Sequence, residues 1–229
     1  MLLPTKHIGY TVPDMSLLTL DQNLTESLYS LTRDNIGLQR VVYDVATYLI
    51  FLLPIVLALL FIKPNTRYMA AKMFGATIVT WQVLSKLVGE FFYAQYGFRD
   101  RPFAFGGLKE LLLEQPQKSF PSDHAAVLLF VTLALFYYRQ KSWAWVFLVV
   151  TLLSSFARVT VGFHWAGDIV GGWLIGVIGF GLLVIFDHPL QKLLEKIWVI
   201  VRGKNYTKQN MLGKSLASDC ESSNEPETS

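Results

Sequence analysis

The segment KSFPSDHAAVLLF, residues 118–130, sets Ser122, Asp123 and His124 side by side at the mouth of an apolar run. Further on, ARVTVGFHWAGD, residues 157–168, holds Arg158, His164 and Asp168. Upstream, DRPF, residues 100–103, holds Arg101. These residue types suit a phosphoryl group. A helix N-terminus carries unpaired N–H groups and partial positive charge, so it attracts anions. Ser122 can cap the helix that follows it or donate to a phosphate oxygen. The guanidiniums of Arg101 and Arg158 can clamp the oxygens in fork geometry. His164 and Asp168 are four residues apart and share a face if helical. Asp168 can then hold the imidazole in one tautomer and leave the other nitrogen to attack. A free imidazole titrates near neutrality, so His124 is a candidate to protonate a departing oxygen. Asp123 reads as a charge that favours the helix dipole.

The elements that must position these groups are membrane spans. Of 229 residues, 52% are hydrophobic and 16% charged, where a soluble domain carries about 25% charge. Five spans are expected: Val45–Ile62, Tyr68–Gln95, His124–Tyr138, Trp143–Phe163 and Ala166–Phe186. The first contains Pro54, which membranes tolerate. The last carries several glycines that let neighbours pack closely. Residues 1–40 form an N-terminal interfacial segment, with an amphipathic helix over Leu20–Arg40. Residues 41–188 form the membrane domain, 189–204 an interfacial amphipathic helix, and 205–229 a polar tail expected to be disordered. The fold class expected is therefore an all-α bundle of five transmembrane helices with an interfacial helix at each end.

Spans alternate in direction, so Arg101, Ser122, His124, Arg158, His164 and Asp168 all fall at one membrane face. Lys63, Arg67, Lys72, Arg139, Lys141 and the C-terminal Lys192, Lys196, Arg202, Lys204 and Lys208 fall at the other. The positive-inside rule makes that second face cytoplasmic and places the constellation outside. The loop 96–123 carries Arg99, Arg101, Lys109 and Lys118 on the outer side.

DRPF, SFPSDH and ARVTVGFHWAGD resemble the three signature motifs of the type 2 phosphatidic acid phosphatase family of membrane lipid phosphatases. The third motif has Arg, five residues, His, three residues, Asp, which Arg158, His164 and Asp168 match. The second, Pro-Ser-x-His, is matched by Pro121, Ser122 and His124. The resemblance implies a metal-independent hydrolase without a cofactor. In it His164 attacks phosphorus, His124 protonates the leaving group, and Arg101, Arg158 and Ser122 stabilise the phosphoryl charge. One departure stands out. The first motif usually has Lys seven residues before its Arg, and Ala94 stands there. Lys86 lies eight residues deeper, about 12 Å along an α-helix. Arg99 or Lys118 can supply the missing charge instead. The undecaprenyl pyrophosphate phosphatase branch also lacks this lysine and carries RPF followed by SFPSDH. The resemblance thus implies a polyprenyl diphosphate substrate and a bacterial cell or inner membrane.

Other readings stay open at this level. Lys86 and Glu90 are four apart, either a buried pair lining the site or a pair on the helix surface. Arg99 also reads as a solvated or headgroup-facing charge. A glycerolipid phosphate is an alternative substrate, and a phosphotransferase or a non-catalytic membrane relative are alternative functions. The net charge of +3, with no basic stretch interleaved with aromatics, speaks against nucleic acid as a partner. The single cysteine, Cys220, allows no intramolecular disulfide. No metal-ligand spacing stands outside the residues assigned to phosphate.

Overall fold

The computed structural model describes residues 15–97, 101–102 and 119–222, with side chains described between 17 and 201. Every regular element among them is helical: α1 (Met15–Arg33), α2 (Ile36–Tyr48), α3 (Leu52–Ile62), α4 (Arg67–Ile78), α5 (Lys86–Tyr96), α6 (Asp123–Tyr137), α7 (Lys141–Thr160) and α8 (Ala166–Ser222). A 3₁₀ turn, Leu49–Phe51, joins α2 to α3, and a π-helical stretch, Val79–Ser85, joins α4 to α5. The chain divides into two compact units, residues 1–185 and 186–229. The second is helical through Ser222, with a hydrogen bond of 2.7 Å from Gln191 Nε2 to Glu195 Oε1.

Three stretches are long and apolar enough to cross a membrane: Ile36–Ile62, Lys141–Thr160 and Ala166–Val201. Asp123–Tyr137 is apolar but shorter. The first stretch begins nine residues before the expected Val45, because α2 already winds from Ile36 behind an Asn35 cap that accepts from the Leu38 N–H. Pro54 lies just beyond the 3₁₀ turn. Proline offers no N–H to the preceding turn, so the helix tightens there rather than breaking. At the other end the helix passes through Pro189 and continues to Ser222. The helix runs on across the boundaries expected at 189 and 205. A proline alone kinks an apolar helix more readily than it stops one, and 205–222 contains no other proline. Residues 223–229 of the expected tail lie outside the described residues.

The core of the first unit joins α3, α4, α6 and α7 through Leu53, Leu60, Met73, Phe130, Leu135 and Phe147. Against hydrocarbon such a core gains from close packing rather than from leaving water. Two glycines of α8 show how close that packing is. A Cβ at Gly176 would lie 2.6 Å from the Ala126 carbonyl of α6, and one at Gly172 would strike the Ser122 carbonyl. Thr132 and Thr151 hydrogen-bond across α6 and α7 at 2.9 Å, keeping two buried hydroxyls satisfied.

The end of α7 is set by Gly162. Its φ is 75°, and its N–H bonds Val159 O at 2.9 Å while Phe163 N–H bonds Arg158 O at 2.9 Å. This is a Schellman closure, which wants a residue in the left-handed region. It turns the chain sharply, so that His164 arrives back beside Arg158. A side chain at Gly162 meets a left-handed penalty of about 1–2 kcal/mol. Gly162→Ala should therefore lower the thermal unfolding midpoint of the detergent-solubilised protein by an amount that matches this penalty. An unchanged midpoint would show that the turn does not need this conformation.

Candidate active site

Asp168 stands at the centre of the constellation and is fully buried. Its Oδ2 accepts from Ser119 Oγ at 2.5 Å and from the Trp165 N–H at 3.1 Å. Its backbone carbonyl accepts the Ser122 N–H at 3.0 Å, which fastens the start of α6 to the first turn of α8. His164 Nδ1 lies 3.5 Å from the same Oδ2. The SFPSDH segment and the turn before α8 are thus held by one carboxylate.

Arg158 comes from the last turn of α7. Its Nη1 donates to the Ala46 carbonyl of α2 at 2.9 Å, and its Nη2 lies 3.2 Å from His164 Nε2. A guanidinium has no acceptor. The imidazole nitrogen facing it must therefore be the bare one, and the proton sits on Nδ1, towards Asp168. Arg101 reaches the same turn from the other side, its Nη1 donating to the Phe163 carbonyl at 2.9 Å. The Phe163 ring packs edge-on to Tyr43 at 5.5 Å and lies 5.3 Å from the Arg158 guanidinium carbon.

Three donors in this cluster have no hydrogen-bond partner among the described residues: Ser122 Oγ, Arg158 Nε and His164 Nδ1, the last standing 3.5 Å from Asp168 Oδ2. Ser122 occupies the N-cap position of α6, yet its side chain makes no capping bond and its Oγ is buried and unpartnered. Arg158 Nε is likewise buried and unpartnered. Buried donors left in this state cost free energy unless a ligand takes them up. Of the two roles expected for Ser122, the structure leaves the donor role open and does not use the cap. His124, in the first turn of α6, lies within electrostatic range of Arg101, Arg158 and His164. It also lines, with Asp123, the polar end of a cavity of about 360 Å³. Apart from Thr77 the other walls are apolar, from Leu53, Leu57, Phe74, Ile78, Trp81 and Val127 among others.

The accessory candidates fare differently. Lys86 and Glu90 are both exposed on α5 and do not enter the cluster. The wider π turn shifts the phase of the helix before α5. It is Ser85, one residue earlier, that hydrogen-bonds Asp123. Arg99 and Lys118 lie outside the described residues. Ser119 and Ser85 were not expected at the site. Ser119 had a signal, its place inside the SFPSDH motif; Ser85 had none, because the π turn is not legible as a pattern.

Burial pushes His164 down from 6.5 to about 4, aided by the Arg158 and Arg101 charges and opposed by Asp168. Burial also lowers Arg101, against the pull of Asp168 and Asp123. The imidazole is thus neutral at neutral pH. Between pH 6.5 and 4 the unfolded chain holds a proton on this residue that the folded chain lacks. Stability from this group is complete above pH 6.5 and is lost as the pH falls through that window, by on the order of 3 kcal/mol. The unfolding midpoint in detergent should fall from pH 6.5 to 4, and fall less steeply in His164→Asn. Equal slopes in both proteins would contradict this assignment.

A sequence profile described as the PAP2 superfamily matches residues 70–191. The undecaprenyl-diphosphatase BcrC of Bacillus subtilis is 23% identical over 81% of this chain and 95% of its own length. An undecaprenyl-diphosphatase of Sulfolobus acidocaldarius is 35% identical over 53% of this chain and 56% of its own length. Among solved structures, a transmembrane PAP2-type phosphatidylglycerolphosphate phosphatase from Bacillus subtilis superposes with a TM-score of 0.57 at 23% identity. The superposition covers 76% of this chain and 88% of that one. That likeness establishes a shared membrane fold.

Proposed function

The chain belongs to the PAP2 superfamily and is a membrane phosphatase of that type, and we propose that it removes the terminal phosphate of a polyprenyl diphosphate such as undecaprenyl diphosphate. The observation that carries this reading is the pairing of two features. Buried donors without a partner among the described residues, Ser122 Oγ and Arg158 Nε, belong to the segments joined to Asp168 and His164, and His124 lines a largely apolar cavity. A charged headgroup and a long hydrocarbon tail need that combination. The names of the undecaprenyl-diphosphatase relatives support the same choice of lipid.

In the reading proposed, the terminal phosphoryl group takes the donors of Ser122, Arg158 and Arg101. Arg158 leaves Nε2 of His164 for a phosphoryl oxygen. His164 Nε2 forms a bond to phosphorus as the bond to the bridging oxygen breaks, and His124 gives its proton to that oxygen. The new positive charge on the imidazole is met by Asp168 through Nδ1–H. Water then attacks phosphorus, returns a proton to His124, and frees inorganic phosphate as the N–P bond breaks. The arginines and Ser122 hold the oxygen charge throughout. No residue in this sequence of steps needs a metal. We place five spans across the bilayer, α2–α3, α4–α5, α6, α7 and the first part of α8, with the site at the non-cytoplasmic face. The interfacial assignments of residues 1–40 and 189–204 belong to the same proposal.

Phosphate release by the detergent-purified protein tests the reading, with chelator present and undecaprenyl diphosphate and phosphatidic acid run in parallel. Release from the diphosphate should be faster, should survive the chelator, and should vanish in His164→Ala. Ser122→Ala should lose roughly 10²–10³-fold, the usual cost of one oxyanion donor. Faster release from phosphatidic acid would move the protein to glycerolipid turnover. Full activity in His164→Ala would overturn the mechanism.

A further inference from the structure

The turn that carries His164 is gripped from outside the spans, by one stripe of α1. Thr32 Oγ1 donates to the carbonyl of Thr160, the last residue of α7, at 2.6 Å. Thr25 Oγ1 accepts the N–H of Ala166, the first residue of α8, at 3.0 Å. Asp21 Oδ1 accepts the N–H of Gly167 at 2.7 Å. Positions 21, 25, 28 and 32 recur at helical spacing. Leu28, on the same stripe, packs against Ala125, Val159 and Ile169. Thr25 and Thr32 are buried, while Leu17, Leu20, Leu24 and Leu31 are exposed on the remainder of the helix.

A helix start leaves its first N–H groups without intrahelical partners, and a nearby side chain ordinarily supplies a cap from just upstream. Here that position is occupied by the catalytic turn itself, whose residues are Phe163, His164 and Trp165. The cap is delivered instead from α1, more than a hundred residues away in sequence. Asp21 also adds negative charge where the α8 dipole is positive. The approach is close: a Cβ at Gly167 would lie 3.2 Å from Asp21 Oδ2.

We propose that Asp21 and Thr25 are positioning residues for the His164–Asp168 pair, fixing the start of α8 so that Asp168 meets the imidazole. This rests on the reading of His164 as nucleophile. Both residues act through the backbone of Ala166 and Gly167 and touch no substrate. The pair stands at 3.5 Å, a separation at which a small shift of the α8 start decides whether a hydrogen bond forms. Loss of that orientation lowers turnover without weakening the donors that bind phosphate.

The test uses the full chain in detergent with undecaprenyl diphosphate, and two readouts. Asp21→Ala and Thr25→Val should each lower kcat at least 10-fold with KM within about two-fold. Asp21→Asn and Thr25→Ser keep an acceptor and should recover most of the rate. Leu28→Ala, a packing change on the same stripe, should lower the unfolding midpoint but leave kcat per folded molecule within about two-fold. Independently of any substrate, hydrogen exchange at Ala166 and Gly167 should speed up at least 10-fold in Asp21→Ala and Thr25→Val. Wild-type kcat in those two variants, with His164→Ala inactive, would overturn the proposal. So would unchanged exchange, or losses that only track the midpoint as in Leu28→Ala. An inactive wild type with the expected exchange response would count against the phosphatase reading and leave the α1 grip standing.

Discussion

A carboxylate with no access to solvent holds the candidate site together. Asp168 binds a serine hydroxyl from one motif, a backbone N–H from another, and faces the imidazole of His164. Burying such a charge is costly unless every lone pair has a partner. The surrounding segments meet that demand by converging. Ser119 reaches the carboxylate and the Ser122 N–H reaches the backbone carbonyl of the same residue, so α6 starts against the first turn of α8. The glycines at 172 and 176 are the consequence, since any side chain there would strike the backbone of that incoming segment. Packing on this face of α8 follows from the electrostatics of one residue.

A second constraint comes from the turn between α7 and α8. Five residues, 161–165, must reverse the chain and bring His164 back to Arg158. Gly162 supplies the reversal and Arg101 ties down the Phe163 carbonyl. The turn then has no residue left to cap α8, and α1 supplies the acceptors. An N-terminal helix that reads as a surface attachment is in this way coupled to the reacting centre. Its polar stripe faces the protein and its leucines face outward, the reverse of a helix on a water-soluble domain.

The spacing of Arg158, His164 and Asp168 was legible in the sequence because catalysis fixes residue types at fixed offsets, and the structure gathers them. Of the five spans expected, three coincide with long apolar helices and one with the shorter Asp123–Tyr137, legible from length and composition. Their ends were less so. The start of the first stretch moved to Ile36 because an asparagine cap outweighs a drop in hydropathy, and the last helix runs through Pro189. Lys86 attracted attention as a charge in an apolar setting, but the π-helical stretch turns Ser85 inward and leaves Lys86 exposed. Trp165, which the sequence does not mark as a site residue, is buried next to His164 in the turn. The Asp21 and Thr25 caps had no sequence signal at all, since nothing local relates them to residue 166.

The charge balance of the cluster explains why a neutral imidazole and two guanidiniums can share so little space. Arg101 and Arg158 are both nearly excluded from solvent, at 7% and 6% exposure, and Asp168 is already engaged. Burial disfavours a third cation on His164, and the two guanidinium charges disfavour it further, so its affinity for a proton falls. In the proposed reaction a phosphoryl dianion reverses the balance. It satisfies the guanidiniums and leaves the imidazole free to take on positive charge as the N–P bond forms, at the moment when Asp168 can meet it. The arrangement therefore favours the reacting state over the resting one, and the gain is realised only when the anion is in place.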